Sequence, residues 1–230
     1  MHNYLFRENN ILGDSIGWIE LVNTMPVFAL DRAVVNAARV SHLGDSKGDE
    51  ADWRLLHYLY RNRHTTPFEQ VQFKFRIKAP VVVFWQLVRH RTMSFNLQSG
   101  RHTKFEDEFY VPKEWRLQSK SNKQGSNTAL PPIICKDYSD TLEQLIEVCY
   151  KNYRIFLDAG IAKEQARLVL PAWASYYTGV FSVNAHNLMH FLRLRMAEEA
   201  QWEIRQYANA MHTMFAKVMP QTAGAFNQYG

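Results

Sequence analysis

The sequence predicts an α+β domain in which helices surround a small, mostly antiparallel sheet. Residues 71–79 alternate apolar and polar side chains, as a strand does when one face meets a core and the other meets water. Residues 137–159 repeat apolar side chains every three or four positions, which indicates a long helix. No internal repeat divides the chain. We therefore expect one domain over residues 1–230, a length that a single core can serve.

The first predicted elements are a short strand at 16–22 and a helix at 31–41. Asp31 opens this helix, and its carboxylate is expected to cap the free backbone amides there. A second helix is expected at 49–64. Its buried stripe is predicted to consist of three leucines, Leu55, Leu56 and Leu59.

A helix start precedes the clearest strand of the sequence. Thr66 and Glu69 have the spacing of a capping box, and Pro67 suits a first helical turn. In the strand that follows, the apolar positions are Val71, Phe73, Phe75 and Ile77, and the polar positions are Gln72, Lys74, Arg76 and Lys78. This alternation favours an antiparallel sheet with one solvated face.

A buried helix and an extended segment come next. Residues 80–88 (PVVVFWQLV) are apolar almost without interruption and open with proline, which suits the first helical turn. Residues 92–98 alternate polar and apolar side chains, which predicts an extended stretch with one polar face. Arg89, His90 and Arg91 therefore stand between the end of a helix and the start of a strand.

The middle of the chain predicts a strand at 108–112, a polar loop at 117–132 and the long helix at 137–159. The loop is expected to be the most flexible part of the chain. The long helix is expected to lie in the core and to end at Gly160. Its apolar face consists of Leu142, Leu145, Ile146, Cys149, Tyr153, Phe156 and Leu157.

The last third predicts a short helix that stops at Pro171 and a strand-forming stretch at 173–184. Two closing helices are expected at 184–195 and 200–219. These elements complete the predicted α+β arrangement.

The composition is typical of a globular protein. Of the 230 residues, 21% are charged and 47% are hydrophobic, so a disordered chain is not expected. No run approaches the ~20 apolar residues of a spanning helix, and the N-terminus lacks the hydrophobic region of a signal peptide. We therefore expect a cytoplasmic protein with no membrane partner. The formal net charge of +5 fits anionic partners.

The strongest candidate site is RHRTMSFNLQSGR at 89–101, which combines three arginines and a histidine with hydroxyl and amide side chains. A cation at a helix C-terminus stabilises the helix by about 0.3–1 kcal/mol, but one cation would suffice for that. Arginine forks bind phosphate or carboxylate oxygens in pairs, while hydroxyls and amides fix orientation. The segment therefore indicates an anion-binding surface. Arg167 and Arg195 lie in apolar helical segments, where a guanidinium either extends to solvent or finds an anion.

Other chemistries have less support. The nucleotide-binding patterns GxGxxG and GxxxxGK[ST] and the hydrolase pattern GxSxG are missing. His186 and His190 have the spacing of metal ligands, but no third ligand is close in sequence. Cys135 and Cys149 lie too far apart for a CxxC pair, so neither is expected to bind metal or form a disulfide. We expect no metal and no nucleic acid, although a metal hydrolase and a nucleic-acid-binding module stay open as alternatives.

The segment 89–101 resembles the signature RHRxxSxNxxSxR of the flavin-dependent thymidylate synthases, with all seven fixed letters in register. Similarity continues over nearly the whole chain, in ARVS at 38–41, HTTPFE at 64–69, KAP at 78–80, NKQGS at 122–126, ARLVLP at 166–171, VNAHNLMHFLRLR at 183–195 and AQWEI at 200–204. The resemblance implies reductive methylation of dUMP to dTMP, with methylenetetrahydrofolate as carbon donor, NADPH as reductant and FAD as bound carrier. It also implies a homotetramer whose active sites are shared between subunits.

The resemblance assigns roles to individual residues. Arg195 would be catalytic, because a fixed cation at the pyrimidine favours the N3-deprotonated form in a water-poor site. The folate ring would stack on the flavin near His64. The dUMP contacts would be Gln86, Leu87, Val88, Arg89, Leu97, Gln98, Ser99, Gly100, Arg101, Arg167 and Arg195, with the phosphate among guanidiniums and the Ser99 hydroxyl. The FAD contacts would be Ser41, His64, Thr66, Glu69, Arg89, His90, Arg91, Leu97, Asn184, His186 and His190.

Several positions depart from the family pattern. Leu97 stands where relatives often carry Glu, and His102 stands where tyrosine is frequent. His186 and His190 replace the Arg and Asn that are often found there. The signature itself is complete. Neither cysteine has the cationic, accessible setting of a nucleophile, which favours flavin chemistry over the thymidylate synthesis that uses an enzyme thiolate.

Overall fold

The computed structural model describes residues 4–119 and 125–230. The strands within these residues are β1 (Phe6–Asn9), β2 (Trp18–Met25), β3 (Gln72–Pro80), β4 (Ser94–Leu97), β5 (Arg116–Gln118), β6 (Ser126–Ala129) and β7 (Tyr176–Asn184). The helices are α1 (Leu30–Arg39), α2 (Asp49–Arg61), α3 (Thr66–Glu69), α4 (Val81–Leu87), α5 (Pro132–Asp158), α6 (Lys163–Ala166), α7 (Ala185–Arg195), α8 (Trp202–Val218) and α9 (Pro220–Tyr229). Short 3-10 turns lie at Val40–His42 and Arg167–Val169. None of the helices in these two ranges has the length and apolar character needed to cross a membrane.

A five-stranded sheet forms the centre, with strand order β1-β2-β3-β7-β4 and antiparallel pairing throughout. In the middle strand, Phe75 stands opposite Leu21 of β2 and Phe181 of β7. The predicted strands at 71–79 and 173–184 are confirmed as β3 and β7. The α+β fold class, with helices around an antiparallel sheet, is confirmed as well.

One face of the sheet carries the main core. Phe73, Phe75 and Ile77 of β3 are at most 1% exposed. Phe215 of α8 packs edge-on against Phe73, with ring centroids 5.9 Å apart. Each such side chain contributes about 1.5–3 kcal/mol by leaving water. The period-two pattern therefore predicts the core face correctly.

The other face of the sheet is less solvated than its polar residues predict. The Arg76 guanidinium pairs with the Glu20 carboxylate of β2 at 2.5 Å, and Arg7 pairs with the same carboxylate at 2.6 Å. Both guanidiniums lie over the Trp18 ring. Glu20 is 0% exposed as a result. The expectation that this face meets water is wrong around Glu20, because an ion-pair cluster covers it.

Asp31 caps a different helix from the one predicted. α1 begins at Leu30, and no side chain caps its N-terminus. The Asp31 carboxylate instead accepts hydrogen bonds from the backbone N–H groups of Gln221 and Thr222, both at 2.9 Å, in the first turn of α9. The capping partner lies 190 residues away, so the local pattern could not identify it.

Two further local predictions are wrong. α3 forms over residues 66–69, but its N-cap Thr65 makes no side-chain cap bond, so no capping box exists. In the described chain, residues 108–112 make one isolated bridge, between Phe109 and Ser175, instead of a strand. Their backbone pairs with a turn-rich segment that offers few partners.

The predicted loop at 117–132 holds ordered elements. β5 and β6 pair as an antiparallel hairpin, and α5 begins at Pro132. The short hairpin strands are polar and lack the apolar alternation that signals a strand. Residues 120–124, which include most of the segment NKQGS, lie outside the described residues. The expectation that this loop is flexible therefore stays a prediction.

The long helix α5 is not the core helix that its periodicity predicts. Of its 27 residues, Cys135, Ile146 and Tyr153 are buried. Leu145 is 59% exposed and Val148 is 60% exposed. The buried side packs on a second, smaller apolar cluster that includes Phe105, Phe109, Ala166 and Leu170. Periodicity shows which face of a helix is apolar, but not whether the same chain covers all of it.

Candidate functional site

The segment 89–101 is positioned by α4, by β4 and by the turn between them. The His90 N–H donates to the Leu87 carbonyl at 3.0 Å, which closes the turn after α4. β4 then pairs with β7 at the edge of the sheet. β4 therefore separates the loop 99–101 from the three basic residues at 89–91. A strand of four residues is about 13 Å long.

A guanidinium–imidazole pair lies at the first end of this segment. Arg195 Nε donates to His90 Nε2 at 3.0 Å. His90 is 8% exposed, and its ring centroid lies 4.9 Å from that of Phe191 and 6.2 Å from that of His190. Burial lowers the pKa of His90 to about 4, and the charge of Arg195 and the nearby His190 act in the same direction. His90 is therefore neutral at pH 7 and holds Arg195 as a hydrogen-bond acceptor.

Arg195 is a half-buried cation. None of the ion pairs formed within residues 4–119 and 125–230 includes it. Burial lowers the pKa of Arg195, and the nearby Arg89 lowers it further. A guanidinium keeps its proton in spite of such shifts. A fixed cation of this kind stabilises negative charge that develops on a ligand beside it.

Arg195 and Gln86 line the same cavity, which has a volume of about 860 Å³. We call it the hairpin cavity, because residues of β5 and β6, with Trp115 and Trp173, form other parts of its wall. Its volume lies in the range of about 300–1,000 Å³ that small-molecule sites occupy. The cavity therefore offers room for a ligand of nucleotide size next to a fixed cation.

Glu203 connects two other residues of the wall of the hairpin cavity by hydrogen bonds. Its carboxylate accepts a hydrogen bond from the Tyr110 hydroxyl at 3.0 Å and pairs with the Arg116 guanidinium at 2.6 Å. Burial opposes ionisation of Glu203, but Arg116 and the Gln201 amide keep its pKa below the ordinary value. Sequence reasoning missed this residue. The one available signal was its place in AQWEI, in the first turn of α8.

A second group of predicted residues lies beyond the other end of β4. A Cβ on Gly100 would stand 2.8 Å from Arg167 Nη1 and 2.5 Å from Phe105 Cε2, so only glycine allows Arg167 to approach this loop. Arg101 Nε pairs with Glu164 of α6 at 2.7 Å. The loop 99–101 and Arg167 are therefore brought together, as an anion site would require.

Gln98 and Ser99 hold the shape of this loop. The Gln98 N–H donates to the Thr178 carbonyl at 2.8 Å, and the Thr178 N–H donates to Gln98 Oε1 at 3.2 Å. The Gln98 amide also donates to the Thr103 hydroxyl at 3.3 Å. Ser99 Oγ accepts from the Arg101 N–H at 3.3 Å. The Gln98 side chain is therefore held by β7 and by Thr103. Ser99 Oγ acts as an acceptor in its bond to Arg101, so its hydroxyl proton can still be donated to a ligand.

Three of the residues predicted to bind flavin line a second cavity. His64, His186 and His190 surround a volume of about 490 Å³, with Phe68 and Met189 among its apolar residues. We call it the imidazole cavity. Within the described chain, no group of three metal-ligating side chains forms around these histidines or elsewhere.

Four other residues predicted to bind flavin lie on α3, at the start of α7 and in the turn after α1. Thr66 and Glu69 lie on α3, which packs against α7. Asn184 caps α7, and its side chain accepts from the Asn187 N–H at 2.8 Å. Ser41 lies in the exposed 3-10 turn after α1 and does not line the imidazole cavity.

The predicted dUMP residues thus fall into two groups within one chain. Gln86, Arg89 and Arg195 lie at one end of β4, and the loop 97–101 with Arg167 lies at the other. The Leu87 side chain is 0% exposed in the core, so a ligand can reach only its backbone. Neither group alone contains all the predicted contacts.

Comparison with known proteins supports the family resemblance that the segment 89–101 indicates. Residues 20–221 match the family model described as thymidylate synthase complementing protein, Thy1. The flavin-dependent thymidylate synthase of Thermus thermophilus is 44% identical over 214 residues, which are 93% of this chain and 76% of the relative. The enzyme of the same name from Dictyostelium discoideum is 40% identical over 220 residues, 93% of this chain and 72% of the relative.

Solved structures show the same fold. The UMP/dUMP methylase PolB from Streptomyces cacaoi, bound with 5-Br UMP, superposes with a TM-score of 0.83 at 36% identity, over 93% of this chain and 95% of that one. The same methylase bound with 5-Br dUMP also gives a TM-score of 0.83, at 35% identity, over 93% and 96% of the two chains.

Proposed function

The chain belongs to the thymidylate synthase complementing protein family, that of the flavin-dependent thymidylate synthases, and on this premise we propose that it methylates dUMP to dTMP. The observation that carries the proposal is the Arg195–His90 pair at the hairpin cavity. A fixed, uncompensated guanidinium beside a cavity of nucleotide size is what activation of a pyrimidine requires. We propose a cytoplasmic location for the reaction as well.

Arg195 is the catalytic residue of this proposal. Its guanidinium stabilises the negative charge that forms when the uracil N3 loses its proton. His90 accepts from Arg195 Nε and so directs the guanidinium, and Gln86 lines the same wall. The loop 99–101 and Arg167 hold the phosphate, because guanidinium groups and the Ser99 hydroxyl match phosphate oxygens.

We propose FAD as the bound cofactor, held by His64, His186 and His190. The residues of the imidazole cavity fit such a group: imidazoles offer hydrogen bonds, and Phe68 and Met189 offer apolar surface to a planar ring system. When bound, FAD supplies the hydride transfer that draws on NADPH, while methylenetetrahydrofolate supplies the carbon. The chain's own part is to bind, orient and exclude water.

We propose a homotetramer with shared active sites. Two observations support it. The dUMP residues divide between opposite ends of β4, so in our proposal a second copy supplies the phosphate-binding loop 99–101 and Arg167 to the site that holds Arg195. The exposed apolar residues of α5, such as Leu145 and Val148, offer a surface that association would bury.

Replacement of the catalytic cation tests the function. Arg195→Ala is expected to lower the rate of dTMP formation by at least about 100-fold, because the developing charge loses its stabilising donor. Release of tritium from [5-³H]dUMP measures the rate, and the flavin absorbance of the purified protein shows that cofactor binding persists. Arg54→Ala is the matched control, since Arg54 is 70% exposed and pairs with Glu50 on the surface of α2. Equal turnover in the two variants would remove Arg195 from the chemistry.

A further inference from the structure

Three arginines outside the predicted site line the imidazole cavity. Arg61 is the last residue of α2, Arg63 follows two residues later, and Arg193 lies in the last turn of α7. Arg193 Nη2 donates to the Tyr60 hydroxyl at 3.0 Å, which turns the guanidinium toward α2. We call these three residues the arginine wall.

The guanidiniums of the arginine wall are not neutralised by ion pairs in the part of the chain that the structure describes. The ion pairs within residues 4–119 and 125–230 include none of the three arginines. No acidic side chain lines the cavity. Like charges on one concave surface repel each other and raise the local concentration of anions. A bound anion therefore relieves an unfavourable arrangement.

Helix ends explain only part of this arrangement. Arg61 and Arg193 complement the dipoles of α2 and α7, as basic residues at helix C-termini do. Arg63 lies outside any helix and has a φ of 59°, in the left-handed region that arginine rarely adopts. This conformation ends α2, because the Arg63 N–H donates to the Tyr60 carbonyl at 3.1 Å and the His64 N–H donates to the Leu59 carbonyl at 2.9 Å. Glycine or asparagine usually takes this position, so the arginine side chain adds a third cation at the cavity that the helix end does not need.

We propose that the arginine wall is an anion subsite, which binds the polyanionic tail of a co-substrate or cofactor through its carboxylates or phosphates. This inference rests on the proposed function, since the imidazoles assigned to flavin line the same cavity. Three sources share the required chemistry: the glutamyl carboxylates of the folate, the 2′-phosphate of NADPH and the pyrophosphate of FAD.

Direct binding of inorganic pyrophosphate tests the subsite without any catalysis. The purified protein is titrated by calorimetry with saturating dUMP present, so that the predicted phosphate site is already filled. The double variant R61Q/R63Q is expected to bind pyrophosphate at least about ten-fold more weakly than the parent protein, because two charge-assisted contacts are lost. All of these side chains are exposed, so the fold is preserved. R54Q, on the same helix but outside the cavity, is expected to match the parent.

Equal pyrophosphate affinity in R61Q/R63Q and R54Q would overturn the subsite. Because this measurement needs no turnover, it separates the subsite from the proposed reaction. If the parent protein forms no dTMP, but R61Q/R63Q still binds pyrophosphate more weakly than the parent, the proposed function is wrong and the subsite stands.

Kinetics of the same two variants identify the source of the anion. A KM raised for tetraglutamyl but not monoglutamyl methylenetetrahydrofolate assigns the wall to folate carboxylates. A KM raised for NADPH but not NADH assigns it to the 2′-phosphate, and a Kd raised for FAD but not FMN assigns it to the pyrophosphate. If all of these constants agree between R61Q/R63Q and R54Q, the arginine wall holds no part of a co-substrate and the proposal is wrong.

Discussion

His90 shows how a single buried side chain sets the electrostatics of the candidate site. It accepts a hydrogen bond from Arg195, and only a neutral imidazole can do so. Its pKa of about 4 lies below the ordinary 6.5. The folded state therefore binds fewer protons than the unfolded state between these values, and stability falls as pH falls through this window.

This linkage predicts a pH dependence that belongs to one residue. His90→Gln keeps an acceptor for Arg195 but cannot titrate. The parent protein is expected to lose about 2 kcal/mol more of its unfolding free energy than the variant between pH 7.5 and pH 5. Urea unfolding at fixed protein concentration measures both. Parallel pH profiles for the two proteins would show that His90 is not held neutral.

The site residues could be predicted from the sequence only where a motif carries them. The segment 89–101 named Arg89, Ser99 and Arg101, and resemblance to a family added Arg195. Glu203 was missed because its partner Arg116 lies 87 residues away. Ion pairs between distant segments leave no local pattern, so neither composition nor spacing could identify this one.

At the scale of elements, α9 depends on a carboxylate from the other end of the chain. Asp31, on α1, satisfies two backbone N–H groups and the Thr222 hydroxyl at the start of α9. α9 also contributes Tyr229 to the imidazole cavity. The bond therefore connects the stability of a terminal helix with the shape of the cavity.

Loss of this cap is expected to destabilise the protein. Asp31→Ala leaves two backbone donors unsatisfied, which costs about 2 kcal/mol of unfolding free energy. Urea unfolding measures the loss, and hydrogen exchange should localise faster opening to residues 220–229. Asp140→Ala is the control, because Asp140 is 46% exposed and pairs with Lys136 on the surface of α5. The same destabilisation in both variants would show that the cap contributes nothing.

Elements with a strong local pattern were predictable, and those shaped by distant partners were not. β3 follows from alternation alone, since each apolar side chain faces the core. The hairpin β5–β6 is polar and short, so the sequence reads as a loop. α5 has a clear apolar face, yet Leu145 on that face is 59% exposed, because no other element of the described chain packs against it.

At the scale of the whole molecule, β4 divides the candidate site. Arg195 belongs to the group at one end of the strand and Arg167 to the group at the other. The linear order of the segment 89–101 gave no indication of this division, because both groups begin within thirteen residues. The assignment of residues 1–230 to a single domain stays a prediction.

Shared sites predict that two inactive variants restore each other. Co-expressed Arg195→Ala and Arg167→Ala chains form some sites that draw an intact residue from each partner. Random assembly gives about a quarter of such sites, so about a quarter of the parent activity is expected in the mixture. Tritium release from dUMP measures it in mixed and separate preparations. Mixtures as inactive as the separate variants would place the complete site within one chain.

Gly100 restricts the substitutions that this part of the sequence can accept. Phe105 and Arg167 fill the space that even a methyl group would need, so any mutation at position 100 has to displace both of them. The constraint concerns volume and not reactivity, since glycine offers a ligand no side chain. Evolution could enlarge position 100 without moving its neighbours only after both Arg167 and Phe105 had become smaller, so the order in which these three positions can change is restricted.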